Sequence, residues 1–178
     1  MKKLLLAAAL SALSTTVFAA EGAGAYIGAG VGQSNHDTGY DLSNEVGYKI
    51  FGGYMFNRWV GAEVGYARTS ASGSTGSCAD CYSINLKTTV DTVYVAAVGN
   101  LPLSQVVNLF AKAGLAANSA KATGSSGSAN AEETVSKTDG MFGIGVDFNF
   151  APSFAVGLEY DAFASDTGLG SLTAKFRF

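Results

Sequence analysis

The chain has 178 residues, of which 48% are hydrophobic and only 14% are charged, whereas soluble domains usually carry about 25% charged residues. Its formal net charge is −3, which disfavours nucleic acid as a partner because phosphate backbones attract basic surfaces. The length predicts a single domain. No stretch after the first residues approaches the roughly 20 apolar residues of a transmembrane helix, so the sequence excludes a helical membrane protein.

The first 19 residues have the pattern of a secretory signal peptide. Two lysines, Lys2 and Lys3, precede a short apolar run at 4–13, and small residues stand near Ala19. This combination is typical of a leader that is removed on export. We predict cleavage after Ala19, which leaves residues 20–178 as the mature domain, with 9 basic and 14 acidic residues once the two lysines are lost.

Apolar and small or polar residues alternate with period two through most of the remaining chain, which predicts β-strands. In chain order, the predicted strands are 25–32, 46–56, 60–67, 90–101, 106–117, 141–150, 154–162 and 170–178. Short turns near Asn57, Pro102 and Pro152 alternate with longer polar connections at 34–45, 70–86 and 118–138, and a brief one at 165–168. We expect the connection at 118–138, rich in Ser, Gly and Ala, to be the longest loop.

Residues 46–66 are the clearest hairpin, with the sequence VGYKIFGGYMFNRWVGAEVGY. One face of this hairpin is apolar and aromatic, and the opposite face is small and glycine-rich but carries Lys49 and Glu63. A soluble sandwich buries its apolar face and exposes the polar one. A membrane barrel shows the apolar face to lipid and encloses the polar one.

Three features favour the membrane barrel. The alternate positions that we assign to the apolar faces, such as 93, 95, 97, 99 and 101, contain no charged residue, and a Lys or Arg at the bilayer midplane would cost about 2–4 kcal/mol. The connections alternate between short and long, and the strand number is even. A soluble calyx would instead place its apolar face inside. The sequence therefore predicts an all-β fold, an eight-stranded antiparallel up-and-down transmembrane β-barrel.

Several motifs also match a known family. They are IGAGVG at 27–32, HDTGY at 36–40, FGGY at 51–54, VGAEVGY at 60–66, LEY at 158–160 and SLTAKFRF at 171–178. The chain resembles the transmembrane domain of outer-membrane protein A and its opacity-protein-like relatives. The resemblance implies export to the outer membrane of a Gram-negative bacterium, with outer-membrane lipid and lipopolysaccharide as surroundings. It also implies that Leu172, Phe176 and Phe178 form the signal read by the barrel-assembly machinery.

That family locks its barrel interior with charged pairs. The resemblance implies interior charges at Glu63, Lys112, Asp147 and Glu159, and the alternation of faces adds Lys49 and Lys175. These side chains would either line a small ion path or cross-link the lumen shut. Eight strands enclose an interior just wide enough for side chains to fill, which favours the plug.

The chain departs from the family at two interior positions. Where the family carries an arginine on the seventh strand and a lysine on the fourth, this chain has Gly157 and Val98. The family's proposed gating pair cannot form with those partners. One of the remaining interior lysines could substitute.

Two motifs carry candidate chemistry. Cys78-Ala-Asp-Cys81 could be a redox or metal motif, but zinc needs four ligands and the chain has one histidine. We predict a local disulfide formed in the oxidising periplasm. His36 beside Asp37 could be half of a hydrolytic dyad, but we read it as a hydrated loop residue. We therefore expect no catalytic residues, no metal and no cofactor.

The predicted function is a structural and surface-contact role in the outer membrane without catalysis. Long loops on a rigid scaffold are suited to bind partners, here host, phage or neighbouring-cell surfaces. Two alternatives remain open: a narrow, low-conductance pore, and a barrel enzyme that modifies lipid.

Overall fold

The computed structural model of the chain describes residues 22–36, 43–44, 46–75, 84–126, 129–164 and 167–178. No helix in these ranges is long and apolar enough to cross a membrane. Their long strands are β1 (Gly24–His36), β2 (Val46–Met55), β3 (Val60–Thr75), β4 (Ile84–Pro102), β5 (Val107–Ser126), β6 (Ala129–Ala151), β7 (Phe154–Ala164) and β8 (Thr167–Arg177). The signal peptide predicted at 1–19 lies outside the described residues.

The eight strands form one closed antiparallel sheet. Each strand pairs with its neighbours along the chain, and β8 pairs with β1 so that Arg177 lies opposite Tyr26. A two-residue strand, Ser43–Asn44, adds to β3 at Ala71 and Ser72. Closure leaves no unpaired edge within the barrel wall, as a membrane requires. The predicted eight-stranded up-and-down barrel is confirmed.

Burial alternates along the strands in the predicted way. On β2, Tyr48 and Ile50 are exposed, whereas Lys49 and Phe51 are buried. The exposed side chains form an apolar belt around the outside of the barrel, and the buried ones fill the lumen. A soluble calyx would show the opposite arrangement. The large exposed hydrophobic surface is therefore the lipid-facing surface.

The predicted loops at 70–86 and 118–138 are wrong in extent, because strands continue through most of them. β3 reaches Thr75 and β4 begins at Ile84. β5 continues to Ser126, which lies directly opposite Ala129 of β6. Beyond the apolar belt neither face of a strand contacts lipid, so the contrast between faces is lost and the sequence no longer signals a strand. Backbone pairing still satisfies the polar groups there.

Four strands therefore extend past one rim of the barrel as a small sheet. We call this the projecting sheet, and its parts are residues 69–75, 84–90, 120–126 and 129–140. The opposite rim, here the turn rim, carries the tight turns at 56–59, 103–106 and 152–153. Both ends of the barrel chain, Gly24 and Arg177, lie at the turn rim.

Inward-facing glycines make room for inward-facing aromatic rings. A Cβ atom on Gly65 would collide with the ring of Tyr94, and one on Gly145 would collide with the ring of Phe110. The same relation holds for Gly28 with Phe51 and for Gly53 with Tyr26. Each large ring therefore occupies space that a neighbouring strand leaves empty, which lets four aromatic residues fit in a narrow lumen.

We expect Gly145→Val to destabilise the folded barrel by about 1–3 kcal/mol, because the added side chain overpacks the lumen. The Cβ would meet both the Phe110 ring and the Leu158 carbonyl oxygen. The measurement is the urea midpoint of protein folded into lipid vesicles, followed by gel mobility with and without boiling.

Gly99→Val is the matched control, because a Cβ on Gly99 points to open space with only the Ala111 carbonyl oxygen nearby, at 3.9 Å. This variant should unfold at the midpoint of the unmodified chain. Equal midpoints for the two valine variants would contradict the assignment of the lumen side.

Candidate functional site

A cluster of five charged side chains occupies the middle of the lumen. Lys112 Nζ lies 2.5 Å from Glu63 Oε1 and also contacts Glu159 Oε1. Lys49 Nζ lies 2.8 Å from the same Glu159 oxygen and 2.5 Å from Asp161 Oδ2. All five side chains are at most 1% exposed. This central cluster connects β2, β3, β5 and β7 across the barrel.

Two tyrosines complete the coordination of Glu63. The Tyr26 hydroxyl donates to Glu63 Oε2 at 2.8 Å, and the Tyr94 hydroxyl donates to Oε1 at 2.9 Å. With Lys112, the buried carboxylate therefore has three donors from three other strands. A buried charge is tolerated when its hydrogen-bonding capacity is filled in this way.

A second group of charges lies nearer the turn rim. Lys175 Nζ donates to Asp147 Oδ2 at 2.9 Å. Arg177 Nη2 lies 3.6 Å from the same oxygen, and Arg177 Nη1 donates to Asn149 Oδ1 at 2.6 Å. We call Asp147, Asn149, Lys175 and Arg177 the rim cluster.

The ring of Phe51 lies close to lysines of both clusters. The ammonium groups of Lys49, Lys112 and Lys175 lie 5.3, 5.0 and 5.7 Å from its centroid. Lys175 also stands 3.7 Å from the Phe110 centroid. Cations are attracted to aromatic faces, so these rings hold three like charges in a small volume. Only the inward parity of the two rings in the sequence could have indicated this role.

The six predicted interior charges all lie inside the described barrel, and two further charges join them. Asp161 belongs to the central cluster and Arg177 to the rim cluster. The central cluster thus has two lysines and three carboxylates, and the rim cluster has two cations and one carboxylate. The six predicted charges comprise three cations and three anions, and with the two further charges the described lumen holds four of each. Asp161 lies two residues after Glu159, and Arg177 two residues after Lys175, so the period-two alternation already placed both on the inward face.

The positions at which the chain departs from its family face the lumen without charge. A Cβ on Gly157 would collide with Asp147 Oδ1, so a larger residue there would have to displace the Asp147 side chain of the rim cluster. Val98 is 5% exposed and lies opposite Lys112 in the β4–β5 register. The cation that reaches Glu63 therefore comes from β5.

An apolar layer lies between the central cluster and the projecting sheet. It consists of Ala116, Met141, Phe163 and Leu169, each with no exposed surface. The Tyr94 ring packs against Phe163 with centroids 5.8 Å apart. Within the described part of the lumen, this layer separates the charged interior from the rim beyond.

The residues of the predicted assembly signal have side chains outside the lumen. Leu172, Phe176 and Phe178 face outward and are exposed, and the last two rings contact at 5.2 Å. Their role in assembly stays a prediction. Cys78 and Cys81 lie outside the described residues.

Sequence reasoning missed an outward-facing ion pair where the apolar belt ends. Arg68 Nε and Nη2 lie 2.5 and 2.9 Å from the two oxygens of Asp91, and the Tyr66 hydroxyl donates to Asp91. The Arg68 side chain is 42% exposed. Aromatic and polar side chains of this kind typically mark the membrane boundary.

The unequal charge of the central cluster yields a testable difference. Lys112→Met leaves three carboxylates facing Lys49 alone, so we expect a loss on the order of 3–5 kcal/mol in the free energy of unfolding. Glu63→Gln leaves two lysines and two carboxylates, so its loss should be smaller. Urea titration of vesicle-folded protein measures both.

Arg68→Gln is the control for removing a cation from a half-exposed pair, and its effect should be the smallest of the three. If Lys112→Met unfolds at or above the midpoint of Glu63→Gln, the charge assignment of the central cluster is wrong.

Comparison with known proteins agrees with this architecture. A search of curated protein sequences finds no match. Ail, the attachment invasion locus protein of Yersinia pestis, solved with the heparin analogue sucrose octasulfate, is 26% identical, with 88% of this chain and 99% of that one aligned and a TM-score of 0.62. Neisserial surface protein A is 18% identical, over 89% and 100%, with a TM-score of 0.59. The N-terminal β-barrel domain of Pseudomonas aeruginosa OprF is 14% identical, over 88% and 99%, with a TM-score of 0.54. At these identities the last two show a shared fold.

The family model described as outer membrane protein beta-barrel domain matches residues 5–176. In barrels of this kind the short turns face the periplasm and the longer extensions face outside, so the turn rim is periplasmic and the projecting sheet is extracellular. The chain belongs to the outer membrane protein beta-barrel domain family and is a protein of the Gram-negative outer membrane.

Proposed function

We propose that this protein is a non-conducting, non-catalytic outer-membrane barrel that contacts partners outside the cell through the projecting sheet and its adjoining loops. The observation that carries the proposal is the outer edge of β6. Pairing between β6 and β7 begins at Phe142 and Ala162, so residues 129–141 have no partner strand on that side among the described residues. Along the same stretch β6 is fully paired with β5.

An unpaired strand edge presents a row of backbone donors and acceptors that another chain can pair with. The exposed part of this edge includes Val135, with 58% of its surface accessible, and the ion-paired Lys137 and Asp139. Charged residues on an edge limit indiscriminate pairing. The edge is thus suited to a partner that pairs with the free backbone groups of β6 and also complements the charges of Lys137 and Asp139.

The net charge of the segments that connect the strands on the extracellular side indicates the kind of partner. Between the barrel strands on this side, the acidic residues are Asp37, Asp41, Glu45, Asp80, Glu132, Glu133, Asp139 and Asp166, and the basic ones are Lys87, Lys121 and Lys137. This excess of acid would repel a sulfated polysaccharide and attract a basic surface. The partner therefore differs in charge from the polyanion with which Ail was solved.

To test this, the protein is expressed in the outer membrane of a non-adherent laboratory strain. The attachment of the cells to polylysine-coated and heparin-coated surfaces is then measured. In the trimmed variant, Asn-Gly replaces residues 121–134 and joins Ala120 to Val135, which lie opposite each other; Asn-Gly favours a two-residue hairpin turn. We expect attachment to polylysine only, weakened by salt and by trimming.

Gel mobility with and without boiling must first show that the trimmed variant is folded. A trimmed, folded protein that attaches as well as the unmodified one would overturn the role of the projecting sheet. Preferential attachment to heparin would overturn the charge argument.

The filled lumen supports the non-conducting part of the proposal. The central cluster is buried, and the apolar layer lies above it. We expect no stepwise currents in planar bilayers that contain the folded protein. Reproducible steps would favour the pore, and lipid products formed in membranes that contain the protein would favour the enzyme.

A further inference from the structure

The lumen opens at the turn rim into a cavity of about 430 Å³, which we call the vestibule. The charged residues in its walls are Arg58, Glu63, Lys112, Asp147, Lys175 and Arg177. The central cluster forms its inner end and the apolar layer lies beyond that cluster, so a solute that enters from the periplasm has to leave by the same opening. A cavity with a single entrance has the shape of a ligand-binding site.

The walls of the vestibule carry more positive than negative side-chain charge. Lys112 is paired with Glu63, and Lys175 is paired with Asp147. Arg177 reaches Asp147 only at 3.6 Å, on an oxygen that Lys175 already occupies. Arg177 Nη1 also donates to Asn149 Oδ1 at 2.6 Å, so Arg177 is held by one amide and by a carboxylate that it shares with Lys175. Arg58 has no carboxylate partner among the described residues.

Arg58 is held in place by its turn. The Asn57 side-chain oxygen accepts hydrogen bonds from the backbone N–H groups of Trp59 and Val60, at 2.8 and 3.0 Å. Asn100 Nδ2 donates to the Arg58 carbonyl oxygen at 3.0 Å. The guanidinium lies 5.1 Å from the Trp59 ring centroid, and no side-chain acceptor contacts it among the described residues.

We propose that the vestibule binds a phosphate group through Arg58 and Arg177. Guanidinium groups match phosphate oxygens with paired N–H donors, and charge-assisted hydrogen bonds of this kind are strong. The opening lies at the periplasmic membrane surface, so the phosphate comes either from a periplasmic solute or from a phospholipid headgroup. This inference is independent of the extracellular contact proposed above.

The test uses the ¹⁵N-labelled protein folded in maltoside micelles, which contain no phosphate, and follows amide shifts by NMR. One arm adds inorganic phosphate against sodium chloride of equal ionic strength, and the other adds phosphatidylglycerol. We expect saturable shifts at vestibule residues such as Gly24, Met55 and Asn108. Shifts with phosphate assign a soluble ligand, and shifts with phosphatidylglycerol alone assign a lipid headgroup.

Arg58→Gln and Arg177→Gln should each weaken the affinity about tenfold or more, whereas Arg68→Gln at the opposite rim should leave it unchanged. Arg177→Lys keeps the charge without the paired donors and should be intermediate. Absence of saturable shifts in both arms overturns the proposal. Saturable shifts that the Arg58 and Arg177 variants leave unchanged also overturn it.

Discussion

The ion pairs of Lys112 with Glu63 and Glu159 are the interaction on which the rest of the structure depends. They join β5 to β3 and β7 across the lumen, and both carboxylates are buried. A buried charge without its partner is far more costly than an exposed one. Two tyrosines donate to Glu63 at this contact, and glycines on the neighbouring strands leave room for their rings. The inward face therefore needs both large aromatic residues and glycines.

The interior is not uniform along the barrel axis. The central cluster has one more carboxylate than lysine, the rim cluster has one more cation than carboxylate, and the layer beyond the central cluster is apolar. The two clusters balance each other as a whole, which a poorly hydrated lumen favours. Their separation gives the periplasmic end a positive character, and close-packed apolar side chains occupy the lumen toward the extracellular end of the described barrel. The barrel thus holds two surfaces apart, each with its own chemistry.

The alternation of faces was sufficient to predict the barrel, its orientation to lipid and the inward position of Lys49 and Lys175, because burial on one side only imposes a period of two. The pairing of Lys112 with both Glu63 and Glu159 depends on strand closure and stagger, which no local pattern records. The strand extensions were missed for a different reason: residues beyond the belt face water on both sides, and period two disappears from the sequence. Tight turns such as that at Arg58 were predictable, but the cavity beside them was not.

The two surfaces should act independently. Energetic coupling between distant sites requires an element with two arrangements that both sites bias. The described lumen between them consists of fully paired lysines and close-packed rings, and Lys112 cannot leave Glu63 without stranding a carboxylate that also accepts from Tyr26 and Tyr94. We therefore expect that a partner bound to the projecting sheet leaves the proposed phosphate affinity of the vestibule unchanged. A rigid barrel keeps its two rims independent, so the sequence at one rim can change without affecting binding at the other.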